Sequence, residues 1–194
     1  MKKLPMVLVW CTVIIAGCGI FQTRQPQPPQ QSPSDYQPPL SPDVVIQNLI
    51  NSISDRNVNN YIACLSDPSF GGRPFSFEPP PDVYRQYQGI FENWDVSSEQ
   101  YYFNNLVVQS AKSSSSQLVL TSENLTTLGD SASFSASYTL YWPNDVQGSL
   151  QQVEGNLIFY LGTDRNENWS IYKWIDSKVG DSLSWSDLKA RFSQ

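Results

Sequence analysis

The residues that could move a proton or hold a metal narrow the chemistry at once. His is absent from all 194 residues. That excludes Ser-His-Asp and Cys-His triads, histidine general bases and most catalytic zinc sites. Carboxylates and phenols remain. Asp95 stands beside Trp94, while Tyr101, Tyr102 and Tyr138 fall in segments that read as strands. An Asp in an apolar pocket has a raised pKa and can abstract an activated proton, with a Tyr stabilising the enolate. Asp95, Tyr101 and Tyr138 are the candidate catalytic residues for that scheme. The simpler reading makes the aromatics core and Asp95 the cap of a helix or turn. Nothing in the spacing gathers the three into one pocket.

Other chemistry has less support. Asp164-Arg165-Asn166-Glu167-Asn168 resembles the first half of a calcium loop, but Trp169 and Ile175 stand where that loop needs Gly and an acid. It reads as a polar hairpin turn, and no metal is expected. There is no phosphate-cradling Gly loop, no Cys pair at metal spacing and no Gly-x-Ser-x-Gly elbow, so no cofactor is expected. Cys64 lies in a helical pattern among apolar residues and reads as a small buried hydrophobe. The chain holds 12 Lys and Arg against 18 Asp and Glu, a formal charge of −6. No basic surface exists to neutralise phosphates, so nucleic acid is not an expected partner.

The front of the chain carries an address. Lys2 and Lys3 precede an apolar run from Leu4 to Ile15, too short for a permanent span, which needs about 20 residues. Ile15-Ala16-Gly17-Cys18 closes the run and resembles the lipobox of bacterial lipoproteins. The resemblance implies a signal peptide over 1–17, cleavage before Cys18, a diacylglycerol thioether on its sulfur and an acyl chain such as palmitate on the new amino terminus. Two or three chains anchor stably where one binds only marginally. Gly19 rather than Asp after the cysteine implies sorting to the outer membrane or cell surface in a bacterium with two membranes. Residues 18–41 hold the lipidated Cys and a Pro- and Gln-rich stretch that cannot bury enough surface to offset chain entropy. It reads as a semi-extended tether with a maximum reach of roughly 70 Å.

One domain is expected over 42–194. Ser41-Pro42-Asp43 opens a helix in which Val45, Leu49, Ile50 and Ile53 recur at helical spacing. A second short helix follows from Val58 to Leu65, then a short strand at Phe75-Ser76-Phe77. A further helical segment after Pro81 places Val83, Tyr87, Ile90, Phe91 and Trp94 on one side. From Gln100 onward the pattern reads as period two. Strands are expected over 100–111, 118–128, 131–142, 150–162 and 169–176, joined as consecutive antiparallel hairpins. Trp185 to Phe192 reads as a terminal helix.

Helices followed by long antiparallel strands make an α+β arrangement. The opening Ser41-Pro42-Asp43 helix, Asp55-Arg56-Asn57-Val58 with Tyr61 and Leu65, Phe75 with Phe77, and the Trp169-to-Asp176 strand together resemble nuclear transport factor 2-like (cystatin-like, SnoaL-like) domains over roughly 41–178. The resemblance implies N-terminal helices packed in a strongly curved antiparallel sheet, a cone whose open end often forms an apolar pocket and whose outer face often dimerises. Family dehydratases use a His-Asp pair, which this chain lacks. The function expected is a lipid-anchored, non-catalytic cell-envelope protein binding an apolar small molecule or a partner protein. Two alternatives stand beside it: a pocket isomerase or cyclase using Asp and Tyr, and a structural envelope protein whose sheet face makes a homodimer.

Overall fold

A computed structural model of the chain describes residues 35–111, 114–144 and 151–194. The signal segment, Cys18 and the tether up to Ser34 lie outside the described residues. Asp35–Gln194 form one compact unit. Every described core side chain, from Tyr36 to Phe192, belongs to it, so this unit carries its own core.

Helix α1 (Pro42–Ser54) starts with Pro at its first turn and Asp43 at the positive end of its dipole. It buries Val45, Ile46, Leu49 and Ile53 at helical spacing. Helix α2 (Val58–Ala63) is capped by the Asn57 side chain, which accepts from the Asn60 N–H. A single 3-10 turn (Pro68–Phe70) leads to strand β1 (Ser76–Glu78) and helix α3 (Pro81–Gln86). That helix stops well short of Trp94. Gly89 has φ +86°, a backbone conformation open to glycine, and the chain continues in turns. Val83, Phe91 and Trp94 are nevertheless buried.

The segment expected as a strand over 100–111 is a helix. Helix α4 (Val96–Val108) is set by a capping box: Asp95 Oδ1 accepts from the Ser98 N–H at 2.9 Å, and the Asp95 N–H donates to Ser98 Oγ at 3.4 Å. Glu99, Tyr102, Phe103 and Leu106 then fall on one helical face and are buried. The Tyr-Tyr-Phe run has strand-like propensity, but the cap and tertiary burial override it. Asp95→Ala is expected to lower stability by about 1 kcal/mol, read from a urea midpoint.

Strands β2 (Gln117–Leu128), β3 (Ser131–Tyr141), β4 (Gln152–Thr163) and β5 (Trp169–Ser177) follow as consecutive antiparallel neighbours. The sheet order is β1-β5-β4-β3-β2. It is mixed rather than wholly antiparallel, because β1 pairs parallel to β5, with Phe77 opposite Trp174. Turn signals between neighbouring strands predict hairpins. They carry no information about a pairing between residues a hundred positions apart. On β3 the burial alternates: Phe134, Ala136, Tyr138 and Leu140 face the core, with the intervening Ser and Thr residues half-exposed. Helix α5 (Trp185–Phe192) closes the chain, and all of its residues except Arg191 are buried.

Candidate functional site

Two places concentrate chemistry: the core around α5, and a surface groove beside α2.

The core holds two buried polar clusters, and both grip α5. In the first, Tyr138 crosses from β3 toward β5. Its hydroxyl donates to Asp176 Oδ1 at 2.7 Å and accepts from the Trp185 N–H at 2.7 Å. Asp176 Oδ2 accepts from the Ser186 N–H at 2.8 Å and its Oγ at 2.5 Å. The carboxylate thus meets the N-terminal end of α5, where free N–H groups and the helix dipole favour negative charge. Burial raises the Asp176 pKa, against the hydrogen bonds from Ser186 and Tyr138 that favour the ion. Burial also raises the Tyr138 phenol well above its ordinary value, with the Asp176 charge adding to it.

The space for Tyr138 is made by Gly155, its register partner on β4. A Cβ there would sit 2.4 Å from the Ser177 carbonyl oxygen and 2.7 Å from the Tyr138 hydroxyl. Gly155→Ala is therefore expected to cost about 1–3 kcal/mol by overpacking. The check is a urea midpoint, with Gly162→Ala as the control. At Gly162 the nearest atom would lie at 3.5 Å, an ordinary contact.

In the second cluster, Glu99 of α4 and Lys189 of α5 form a salt bridge with both side chains at 0% exposure. Glu99 Oε1 also accepts from Trp94 Nε1 at 2.7 Å, and Oε2 accepts from the Tyr61 hydroxyl at 2.9 Å. The Lys189 ammonium lies 3.9 Å from the ring centroids of both Phe77 and Trp174. Trp94 and Tyr102 stand at 5.4 and 5.5 Å. Four aromatic faces and one carboxylate thus surround one cation. Burial pulls the Lys189 pKa down to about 8, with Glu99 acting in the opposite direction. Burial raises Tyr61 and Tyr102 well above the ordinary phenol value. Trp185 Nε1 donates to the Tyr102 hydroxyl at 3.0 Å, which links this cluster to the first. The interior thus holds α5 itself, with Glu99, Lys189 and Asp176 engaged by the chain's own groups, while buried Asp187 engages through Oδ2 and leaves Oδ1 without a hydrogen-bond partner among the described residues.

The structure does not bring the candidate catalytic residues together. Asp95 is exposed and works as the α4 cap. Tyr101 is 56% exposed on α4. Tyr138 is buried in the Asp176 cluster. Cys64 is buried and donates to the Asn60 carbonyl at 3.2 Å, and burial pushes its thiol pKa up, away from reactivity. Asp164 Oδ1 accepts from the N–H groups of Asn166 at 2.7 Å and Asn168 at 2.9 Å, so it shapes the β4–β5 turn. Glu99, Lys189, Gly155 and Ser186 escaped sequence reasoning. Asp176 carried a signal, since it ends the Trp169 strand on the buried face.

The groove has a volume of about 450 Å³. Its apolar wall is Ile62 of α2 with Leu65 just after it, Phe70 of the 3-10 turn, Trp169 at the start of β5, and Tyr36 and Pro39 from the segment ahead of α1, while Asn59, Asp67, Asp164 and Asn168 form a polar side with two carboxylates. That segment lies against the domain. The Trp169 N–H donates to the Pro39 carbonyl at 2.7 Å, and Gln37 exchanges backbone hydrogen bonds with the Asn48 side chain at 2.9 and 2.7 Å. Phe70 is 56% exposed in this setting. Among the described residues no helix is long and apolar enough to cross a membrane.

N-terminal helices packed with a five-stranded mixed sheet give a nuclear transport factor 2-like, or cystatin-like, fold. Solved structures share it. A proposed dehydratase of the nuclear transport factor 2-like family from Streptomyces avermitilis superposes with a TM-score of 0.53 at 11% identity, over 71% of this chain and 93% of its own. A conserved protein from Planctomyces limnophilus gives 0.54 at 8% identity, over 69% and 89%. A nuclear transport factor 2-like superfamily protein from Salmonella enterica serovar Typhimurium gives 0.50 at 16% identity, over 71% and 89%. No family model matches the sequence, and no curated protein matches it. The likeness is one of fold, which does not by itself assign an activity.

Proposed function

We propose that this chain is a lipid-anchored cell-envelope protein whose domain binds an apolar ligand or an apolar segment of a partner, without turning it over. The observation that carries the reading is the location of open apolar surface. The interior, where enzymes of this fold would hold a substrate, is occupied by α5 with its own salt bridge. An accessible concavity, apolar between Ile62, Phe70, Trp169 and the Tyr36–Pro39 segment and rimmed by Asp67 and Asp164, lies instead at the surface. That segment is also where the chain from Cys18 joins the domain, so an anchored molecule would present the groove at the end of its tether.

Two arms test it. Cys18→Ser should abolish labelling by a fatty-acid probe and release the protein from membranes. Labelling that persists in this variant would overturn the anchor. For the groove, a fluorescent fatty acid is titrated against residues 35–194. Phe70→Glu should weaken binding at least tenfold while leaving the unfolding midpoint unchanged, because Phe70 is exposed and a charge costs little there. Equal binding by the two proteins, or none by either, would remove the groove from the reading.

A further inference from the structure

Strand β2 is an edge of the sheet. The opposite edge, β1, is three residues long, whereas β2 runs for twelve. From Thr121 to Leu128 every β2 residue is exposed, on both faces of the strand. Leu128 is 83% exposed. Among the described residues nothing pairs with the outer side of β2.

Long edges in soluble proteins are usually protected by Lys, Pro or a bulge. Gln117–Leu128 contains no Lys and no Pro, and Glu123 is its one charge. A register shift between Thr121 and Asn124, with Ser122 at φ +53°, is an irregularity of the kind that interrupts edge pairing over the upstream part. Asn124–Leu128 lies beyond that irregularity and pairs without interruption with Ser131–Ser135 of β3. Among the described residues it is left as five regular, uncharged and uncovered edge residues.

We infer that Asn124–Leu128 pairs antiparallel with the same segment of a second copy, joining two five-stranded sheets edge to edge. The segment is self-complementary about Thr126. A two-fold axis there sets Thr126 opposite Thr126, Leu125 opposite Thr127, and Asn124 opposite Leu128. Each pair shares a face, as antiparallel pairing requires. Neither Glu123 then opposes its counterpart, so no like charges meet. The exposed Leu128 gains the neighbouring copy's Asn124 and Thr126 as cover. This contact is distinct from a dimer made through the sheet face and does not depend on the groove.

The domain of residues 35–194 suits the test, because it carries the whole core and its sole cysteine, Cys64, is buried. Thr126→Cys should form a disulfide-linked dimer under mild oxidation, since paired Cα atoms at about 4.5–5.5 Å lie within disulfide reach. Ser133→Cys, one strand inward and in register with Thr126, should not. Two copies of Ser133 would stand three strand spacings apart, about 14 Å. In light scattering, unmodified domain should approach twice its monomer mass at high micromolar concentration. The exposed triple variant Asn124→Lys, Thr126→Lys, Leu128→Lys should weaken association at least tenfold. A domain that stays monomeric, or crosslinks through Ser133→Cys but not Thr126→Cys, would overturn the inference. So would a Thr126→Cys crosslink that disappears when residues 19–34 are restored, which would make that segment the occupant of the edge.

Discussion

Glu99→Gln is expected to destabilise the domain by about 3–5 kcal/mol, because it leaves Lys189 buried without its anion. The Gln carbonyl still accepts from Trp94 Nε1, but it carries no charge to set against the ammonium. Lys189→Met alone should cost much less, because it removes a cation that burial already disfavours and its thioether fills much of the volume of the lysine stem. Glu99→Gln combined with Lys189→Met should recover most of the loss, since no unpaired charge remains. Urea unfolding of the two single variants and the double variant gives the coupling directly. If Glu99→Gln cost less than 1 kcal/mol, the pair would not be a buried charge pair in solution.

The same pair makes stability depend on pH with a defined sign. Lys189 is held down at about 8 in the fold, below its ordinary 10.5, by burial. Between those values the unfolded chain binds more protons than the folded one, so stability rises with pH there. Below about 8 both states are protonated, and this contribution is flat. The slope is at most about 1.4 kcal/mol per pH unit. Cys64 acts in the opposite direction: its raised folded pKa removes stability as pH rises past the ordinary thiol value of 9.0. The raised Tyr61, Tyr102 and Tyr138 do the same above 10.0. A Cys64→Ala background isolates the lysine. Its unfolding midpoint should rise between about pH 8 and pH 10, and Glu99→Gln with Lys189→Met should flatten the rise.

Trp185→Ala should cost a further about 3–5 kcal/mol, for a different reason. Trp185 is fully buried. Its ring meets Trp174 edge-on at 4.6 Å and Tyr138 at 5.4 Å. Its indole N–H is the donor to the Tyr102 hydroxyl. Truncation opens a large hole at the centre of the sheet's buried face and removes that donor. A small domain holds only about 5–15 kcal/mol in total, so this variant should be partly unfolded at 37 °C. Trp185→Phe keeps one aromatic ring of the packing while losing the N–H and part of the indole volume, and should cost less than Trp185→Ala, about 1–3 kcal/mol. Urea midpoints for the two variants compare the two losses. Equal losses in both would place the effect in the N–H and the lost part of the indole.

Much of the architecture was legible because it is local. The alternation of Phe134, Ala136, Tyr138 and Leu140 with Ser and Thr needs only the period of a strand. The α1 stripe of Val45, Leu49 and Ile53 needs only the period of a helix. Asp164 makes a turn through bonds to N–H groups two and four residues on. Even α5, from Trp185 to Phe192, was visible as a helix. The α4 segment reads as a strand because Tyr101-Tyr102-Phe103 favours strands locally, while the deciding cap, Asp95 to Ser98, lies just upstream.

The site was far less legible. Glu99 and Lys189 are ninety positions apart and look like any surface acid and base on two helices. Only the packing of α4 against α5 makes them partners, and only the Phe77, Trp94, Tyr102 and Trp174 rings make the partnership dry. Asp95 is the helix cap of the simpler reading, while Tyr101 is an exposed ring rather than core or catalytic, because sequence specifies a residue's type but not its depth. The sequence by itself determined the charge, the absence of histidine chemistry, the secondary periods and the α+β class, since each depends on composition or near neighbours. The tertiary structure alone decided that α5 fills the interior, that β1 adds parallel to β5 and that β2 is left, among the described residues, as an open edge. Each of these depends on which distant surfaces bury one another, a free energy summed over contacts that no local spacing records.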